Sequence, residues 1–218
     1  TETVPGNTDA TEPDAFSEEV KETEPHQVIS MDFTKLQDIN QDIGAWLLSE
    51  DTPIDYPVLQ ADDNRCYLNH LYTGEINGAG SLFLDYRNTG LFTDRKSVIY
   101  GHHIKNESMF HTLEGYKKQD YYDSHPIMIL YTPDGDYLVE LISGTIEDGM
   151  KEFVKFDFEN EEDFTEYVNA LRSRSTFQST VELQPDDRLL SLCTCSYEWS
   201  EARYLVVGRL TPIMTGNQ

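Results

Sequence analysis

Cysteines and long apolar runs are scarce in this sequence of 218 residues. The three cysteines are Cys66, Cys193 and Cys195, an odd number that leaves at least one thiol free and is too small for a disulfide framework. No stretch of about 18 or more apolar residues occurs, and no basic start followed by an apolar segment marks a signal peptide. The sequence therefore predicts neither a disulfide-stapled scaffold nor a membrane-spanning helix.

Positive charge is also scarce, because 16 lysines and arginines stand against 40 aspartates and glutamates, for a formal charge of -24. Binding to nucleic acid or to an anionic membrane surface depends on neutralising phosphate charge, so we expect neither as a partner. The acidic excess also suits an extracellular setting, but by itself it indicates only a solvated surface.

Residues 1–27 are acidic and almost free of apolar side chains. Such a segment cannot offset its ordering entropy by burial, so it is predicted to be a disordered tether. Residues 28–218 are predicted to form one domain, since 38% of the chain is hydrophobic. The sequence begins at Thr1 rather than at methionine, so we expect an upstream targeting or anchoring segment to be missing from it.

Helices are predicted in three places. After Asp32, apolar residues recur at steps of three and four, which is typical of an amphipathic helix. These residues are Phe33, Leu36, Ile39, Ile43 and Leu47. A second helix is predicted over Glu161 to Arg174, behind an acidic first turn that suits the helix dipole. A shorter helical stretch is expected at about Met109 to Lys117.

Seven segments have the β-branched and aromatic bias of strands. They are Ile54 to Gln60, Ser81 to Asp85, Lys96 to Gly101, Ile127 to Tyr131, Tyr137 to Ser143, Arg188 to Cys195 and Arg203 to Leu210. Thr132 to Asp136 contains the proline and glycine of a tight turn, which predicts a hairpin. The fold class is therefore mostly β with added helices (α+β), in a closed or nearly closed barrel.

Cys195 lies at the end of a predicted strand, where a thiol is exposed to substrate while the strand fixes its position. A thiolate acts on a peptide bond with help from a histidine or a cation. His102, at the end of another predicted strand, and Arg203, at the start of the strand after Cys195, are the candidates. Spacing alone leaves other interpretations open, since single cysteines and histidines are commonly packing or surface groups.

At these residues the chain resembles the sortases. Their nucleophile signature, Thr-Leu-x-Thr-Cys followed by an arginine, is matched by residues 191–195, Ser-Leu-Cys-Thr-Cys, and by Arg203. Their histidine signature, Tyr-Gly-His with a polar turn and Ser-Met-Phe, is matched by residues 100–110. Residues 54–60, 63–68 and 80–88 indicate class B. The resemblance covers about residues 33–212 and implies a sortase-like closed β-barrel with an N-terminal helix and a further helix before the nucleophile strand.

The resemblance implies a role for each matching residue. Cys195 would be the nucleophile, His102 the general acid and base, and Arg203 the cation that orients substrate and stabilises the oxyanion. The enzyme would cleave a C-terminal sorting signal after threonine through a thioacyl intermediate, with no metal or cofactor. Substrate contacts are implied for Asn64, Leu68, Tyr100, Cys193 and Thr194. Residues from about 150 to 180 would form the other wall of the groove.

Class B resemblance also implies partners and a location. The partners are a surface protein that carries the sorting signal and an acceptor amine of a peptidoglycan precursor or a pilin. The enzyme would be a monomer on the extracytoplasmic face of the membrane of a Gram-positive bacterium, held by an N-terminal anchor absent from this sequence. Wall anchoring is the expected role and pilin polymerisation the alternative.

Two features depart from a simple match. Cys193 stands where class B enzymes often have serine, and it projects on the same side of the strand as Cys195. Their separation is at or past the usual limit for a disulfide, so reversible oxidation is a hypothesis that requires the strand end to distort. His103 should face away from Cys195, because neighbours on a strand point to opposite sides.

Three alternatives remain beside the transpeptidase interpretation. A cysteine protease that only hydrolyses needs the same cysteine, histidine and oxyanion donor. A noncatalytic binding module could keep the groove, although the presence of all three groups argues against it. A metal site on Cys193, Cys195 and His102 lacks the usual fourth ligand spacing.

Overall fold

The computed structural model of the protein describes residues 31–104 and 108–214. The predicted tether, residues 1–27, lies outside the described residues, so the boundary at residue 28 stays a prediction. Within the described ranges, no helix is both long and apolar enough to cross a bilayer.

Eight strands form the framework. They are β1 (Ile43–Leu48), β2 (Asp55–Leu59), β3 (Leu82–Leu84), β4 (Lys96–Tyr100), β5 (Ile127–Tyr131), β6 (Tyr137–Asp148), β7 (Arg188–Cys195) and β8 (Ala202–Pro212). The α-helices are α1 (Phe33–Ile39), α2 (Gln119–Ser124) and α3 (Glu161–Ser173), and the 3₁₀ helices are Cys66–Leu68 and Phe110–Lys117. All seven predicted strands are confirmed, and β1 was not predicted.

The strands close into a barrel in the order β1-β2-β3-β4-β7-β8-β6-β5, which confirms the predicted fold class. β7 lies between β4, with which it is parallel, and β8, with which it is antiparallel. The predicted hairpin is confirmed, because β5 and β6 pair antiparallel and Gly135 N donates to Thr132 O across the turn. β6 continues beyond the predicted end at Ser143 and pairs with β8 as far as Asp148.

The predicted helix after Asp32 is correct only for its first part. Asp32 caps α1 by accepting a hydrogen bond from Lys35 N, and the helix ends at Ile39, because the next residue, Asn40, has an extended backbone. Asn40 Oδ1 then accepts from Asp42 N, which turns the chain towards the barrel. The short α1 is therefore a separate element from the segment that follows.

The prediction that Ile43 and Leu47 continue this helix is wrong, because both lie on β1. Residues four apart share a face of a strand as well as a face of a helix, so their spacing fits both structures. Ala45, between them, is also fully buried, which is the period of two expected for a strand. Pairing of β1 with both β2 and β5 supplies the backbone hydrogen bonds that decide the outcome.

The strand residues alternate between the barrel interior and an outer layer. On β7, Leu190 and Leu192 pack in the interior, whereas Leu189 and Cys193 face outward. The outward residues pack beneath α3, through its residues Phe164, Val168 and Leu171. Helix α3 was predicted correctly, and its acidic first turn follows the N-cap Asn160, which accepts from Asp163 N. This two-layer packing fixes which β7 side chains reach the outer surface.

The predicted helical stretch at Met109 to Lys117 is a 3₁₀ helix from Phe110 to Lys117. Phe110, Leu113 and Tyr116 are buried with the residues of the barrel interior, so one face of this helix packs into the barrel core. Gly101 lies against it, because a Cβ atom on Gly101 would be 2.6 Å from Cδ2 and 2.8 Å from Cγ of Phe110. The chain between β4 and the helix therefore depends on glycine at this position.

We predict that Gly101→Ala destabilises the protein by about 1–3 kcal/mol, the usual effect of overpacking a filled core. Phe110 is fully buried and its Cγ lies at the base of the ring, so it cannot swing aside. Urea unfolding measures the change. Gly78→Ala is the control, since a Cβ there meets nothing within 4 Å. Equal stability of the two variants would contradict the packing argument.

Candidate active site

Two strand registers bring the candidate residues together. In the parallel ladder of β4 and β7, Tyr100 lies opposite Cys193, and Gly101 N donates to Cys193 O at 3.1 Å. In the antiparallel ladder of β7 and β8, Cys195 lies opposite Arg203. Directly opposed residues project from the same face of a sheet. The ends of the three strands therefore present their side chains to one region of the outer face.

A cleft of about 310 Å³ opens at this region. Its lining contains every residue that the sequence analysis selected: His102, Cys195, Arg203, Asn64, Leu68, Tyr100, Cys193 and Thr194. The volume is at the lower end of the range for small-ligand sites, and the lining is mainly apolar with a few polar groups, as in such sites.

The lining also includes three residues that the sequence analysis did not select: Phe83, Gly101 and Phe153. Phe83 lies opposite Tyr100 in the ladder of β3 and β4. Gly101 lies between Tyr100 and His102 in the chain. Phe153 lies in the irregular segment between β6 and α3, where no periodicity marks a buried or functional side chain. It belongs to the segment 150–180 that was expected to form the second wall.

His102 is fixed by a backbone carbonyl. Its Nε2 lies 2.7 Å from Leu68 O, and a carbonyl can only accept, so the neutral imidazole carries its proton on Nε2. Nδ1 is then the basic nitrogen of the ring. Gly80, at φ +61°, lets the neighbouring loop approach, because a Cβ there would lie 3.0 Å from Cδ2 of His102. The loop therefore sets both the tautomer and the position of His102.

His103 does not line the cleft and packs in a different environment. Its ring lies 4.5 Å from the ring of His111 and 4.8 Å from that of Tyr197, and its Nε2 is 3.8 Å from Glu114 Oε1. Burial lowers the pKa of His103, and the neighbouring His111 lowers it further. Of the adjacent pair, only His102 therefore shares the cleft with Cys195.

Arg203 is oriented by the turn before β8. Its Nη1 donates to Ala202 O at 3.0 Å and its Nη2 donates to Glu201 Oε2 at 3.1 Å. Glu201 has φ +63°, a left-handed conformation that is uncommon outside glycine and that reverses the chain between the two strands. The guanidinium is a permanent cation with five donors, so it suits binding of an oxyanion.

The two cysteines of the cleft differ in burial. Cys195 is half-buried, whereas Cys193 is buried in the layer under α3. Burial raises the pKa of Cys193 to about 12, so its thiol is neutral at physiological pH. All three cysteines are free thiols in this structure. Because thiolates are the reactive form, burial disfavours reaction of the Cys193 thiol, and its oxidation stays a hypothesis.

Among residues 31–104 and 108–214, no three histidine, cysteine or acidic side chains are grouped so that they could hold a metal ion. Cys193, Cys195 and His102 line the same cleft without forming such a group.

No protein-family model matches the chain. Sortase B of Listeria monocytogenes is 36% identical over 177 residues, which are 80% of this chain and 72% of that protein. Sortase B of Staphylococcus aureus is 32% identical over 183 residues, which are 83% of this chain and 75% of that protein. The 2.0 Å crystal structure of Staphylococcus aureus sortase B matches with a TM-score of 0.79 at 31% identity, over 84% of this chain and 87% of that one. The chain therefore belongs to the sortase B family and is a sortase-type cysteine transpeptidase.

Proposed function

We propose that this transpeptidase cleaves a C-terminal cell-wall sorting signal after threonine and transfers the protein to an amine of peptidoglycan. The observation that carries the proposal is that Cys195, His102 and Arg203 line one cleft. These are a nucleophile, a proton carrier and a cation, the three groups that acyl transfer through a thioester requires.

In the first step, Cys195 gives its proton to Nδ1 of His102. The resulting thiolate attacks the carbonyl carbon of the threonine and forms a C–S bond, while an electron pair moves onto the carbonyl oxygen. Arg203, opposite Cys195 in the strand ladder, offsets this negative charge. When the intermediate collapses, the C–N bond breaks and the threonine remains as a thioester on Cys195. The leaving amine takes a proton from His102.

In the second step, the acceptor amine attacks the thioester carbonyl and loses a proton to His102. The C–S bond then breaks, which frees the Cys195 thiolate and leaves a new amide. Since Leu68 O holds Nε2–H, Nδ1 is the nitrogen that gains and loses this proton. Arg203 offsets the second oxyanion as it did the first.

The expected ligands agree with the complexes known for a relative. Sortase B of Staphylococcus aureus has been solved in complex with a substrate, and sortase B has also been solved in complex with triglycine. For this chain, we infer that a sorting peptide contacts Asn64, Leu68 and Tyr100 on one wall of the cleft and Phe153 on the other. Cys193 and Thr194, which precede the nucleophile, complete the floor.

We further propose that the enzyme acts as a monomer at the extracytoplasmic face of the membrane, held by an N-terminal anchor outside this sequence. Residues 1–27 would then be the spacer between the anchor and the domain. The proposal rests on the acidic, apolar-poor composition of that segment and on the family to which the chain belongs.

We predict that a panel of sorting peptides, incubated with triglycine and analysed by mass spectrometry after quenching, yields a transfer product and a thioacyl adduct on Cys195. Both should be absent with Cys195→Ala, because the thioester cannot form. Hydrolysis that no tested amine diverts would identify a protease instead. Persistence of transfer in Cys195→Ala would exclude the proposed nucleophile.

The adjacent histidines give a matched pair of variants. His102→Ala should reduce the rate of peptide transfer by about 100-fold or more, the usual contribution of a general acid–base. His103→Ala should retain most of the activity, because His103 packs against His111 and Tyr197 outside the cleft. Steady-state kinetics of both variants measure the difference, and the reverse order of effects would show that the wrong histidine was chosen.

Arg203→Lys keeps the charge but loses the planar fork of donors. We predict that kcat falls by about 100-fold, comparable to loss of one oxyanion donor. Glu201→Gln is the control, because its amide oxygen still accepts from Arg203 Nη2 and it should leave kcat close to that of the unsubstituted enzyme. If Arg203→Lys is equally active, Arg203 does not stabilise the oxyanion through its fork.

A further inference from the structure

A buried carboxylate lies behind the cleft. Asp85 directly follows β3, is fully buried and is not part of the cleft lining. Its backbone is fixed as well, since Asp85 N donates to Val98 O at 2.8 Å and its carbonyl accepts from Gln60 Nε2 at 3.0 Å. A buried carboxylate is stable only when hydrogen-bonded donors replace its hydration, so the donors around Asp85 indicate what it does.

Five donors from three residues converge on this carboxylate. Oδ1 accepts from Arg87 N and Arg87 Nε, both at 2.9 Å. Oδ2 accepts from Arg87 Nη2 at 2.8 Å, from Asn64 Nδ2 at 3.0 Å and from the Tyr100 hydroxyl at 3.0 Å. Asn64 and Tyr100 both line the cleft. Asp85 therefore joins two groove residues that come from different parts of the chain.

The contact with Asp85 fixes the orientation of the Asn64 amide. Asn64 Oδ1 accepts from Tyr86 N at 3.0 Å, and a backbone N–H can only donate, so the oxygen and nitrogen of this amide cannot exchange places. Nδ2 then donates one of its two hydrogens to Asp85. The side chain is therefore preset before any ligand enters.

Arg87 also contacts the segment that supplies the lining residue Phe153. Its guanidinium carbon lies 4.3 Å from the ring centroid of Phe156, within cation–π distance. Phe156 belongs to the irregular segment between β6 and α3, which also carries the lining residue Phe153. The Asp85–Arg87 pair thus connects Asn64 and Tyr100 to the segment that carries Phe153.

The carboxylate is charged when it holds these groups. Burial opposes ionisation of Asp85, but the hydrogen bonds from Arg87, Asn64 and Tyr100 outweigh it and hold the pKa of the carboxyl below its usual value. Hydrogen bonding to Asp85 in turn raises the pKa of Arg87. Burial first, and the charge of Asp85 second, raise the pKa of Tyr100, so its hydroxyl remains a donor.

We propose that Asp85 and Arg87 are positioning residues that preset the sorting-signal groove, Asp85 by orienting Asn64 and Tyr100 and Arg87 by holding the Phe156 segment against them. This inference rests on the proposed function of the cleft. Because neither residue lines the site of the chemistry, their effect falls on binding of the peptide rather than on the steps at Cys195.

The test is Asp85→Asn, assayed for KM and kcat with the sorting peptide that the unsubstituted enzyme cleaves best. An amide presents a donor where Asn64, Tyr100 and Arg87 need an acceptor, so KM should rise by about 10-fold or more, with kcat changed by less than about threefold. Alkylation of Cys195 by iodoacetamide should keep its rate, since a small reagent does not use the groove. Arg87→Ala should raise KM less than Asp85→Asn does, because Asp85 still accepts hydrogen bonds from Asn64 and Tyr100 in that variant.

The matched control is Asp94→Asn, in the same connection between β3 and β4. Asp94 accepts from Asn88 Nδ2, Thr89 N and the Thr89 hydroxyl, a comparable network that includes no lining residue. The KM of the Asp94→Asn enzyme should stay within about twofold of that of the unsubstituted enzyme, because the substitution is remote from the cleft. Equal increases in KM for both variants, or a fall in kcat alone, would overturn the proposal.

Two further measurements separate the possible failures. Melting temperatures show whether Asp85→Asn folds. If it does not, the KM of Arg87→Ala, which leaves the Asp85 carboxylate in place, decides the outcome. Fluorescence anisotropy of a labelled peptide on Cys195→Ala, with and without Asp85→Asn, measures binding without chemistry. If the unsubstituted enzyme cleaves no peptide, the proposed function fails. If it cleaves and Asp85→Asn binds and cleaves equally well, only the positioning role fails.

Discussion

The backbone pairing of β7, with β4 on one side and β8 on the other, is the constraint on which the site depends. A strand hydrogen-bonded on both edges cannot shift by one residue without moving its apolar set from the interior to the outer face. Leu190 and Leu192 hold the interior, so Cys195 is held on the outer face opposite Arg203. The register that completes the barrel core thus also positions Cys195, the proposed nucleophile.

A second layer of structure turns this outer face into a cleft. Helix α3 covers the outward side chains of β7 and β8, and the segment before it supplies Phe153. On the other side, the loop around Gly80 and the carbonyl of Leu68 hold His102. Rigid strands therefore carry Cys195 and Arg203, whereas loops fixed by specific hydrogen bonds carry His102 and Asn64. A functional side chain on a loop is positioned more precisely when a neighbouring residue fixes its orientation by hydrogen bonds. This is the role that we propose for Asp85.

The barrel could largely be predicted from sequence, because β-branched and aromatic bias marks strands buried on at least one face. β1 could not, since the spacing of Ile43 and Leu47 fits a helix and a strand equally, and only pairing with β2 and β5 decides between them. The selected site residues could be predicted because they belong to short continuous motifs, and the pairing of β7 with β4 and β8 brings those motifs into one cleft. Phe153 could not be predicted, because it lies in an irregular segment without periodicity. The contacts of Asp85 with Asn64 and Tyr100 could not be predicted either, because these residues lie 21 and 15 positions away in the chain.

By the proposed function, a sorting peptide joined to Cys195 lies in the cleft on the outer face of β4, β7 and β8. A crystal structure of the enzyme with a peptide analogue whose threonine carries a thiol, linked to Cys195 as a disulfide, tests it most directly. We expect peptide density between Leu68 and Tyr100 on one side and Phe153 on the other. Density that runs instead past the far side of His102, over Ile104 and Tyr197, where a separate cavity opens, would contradict it.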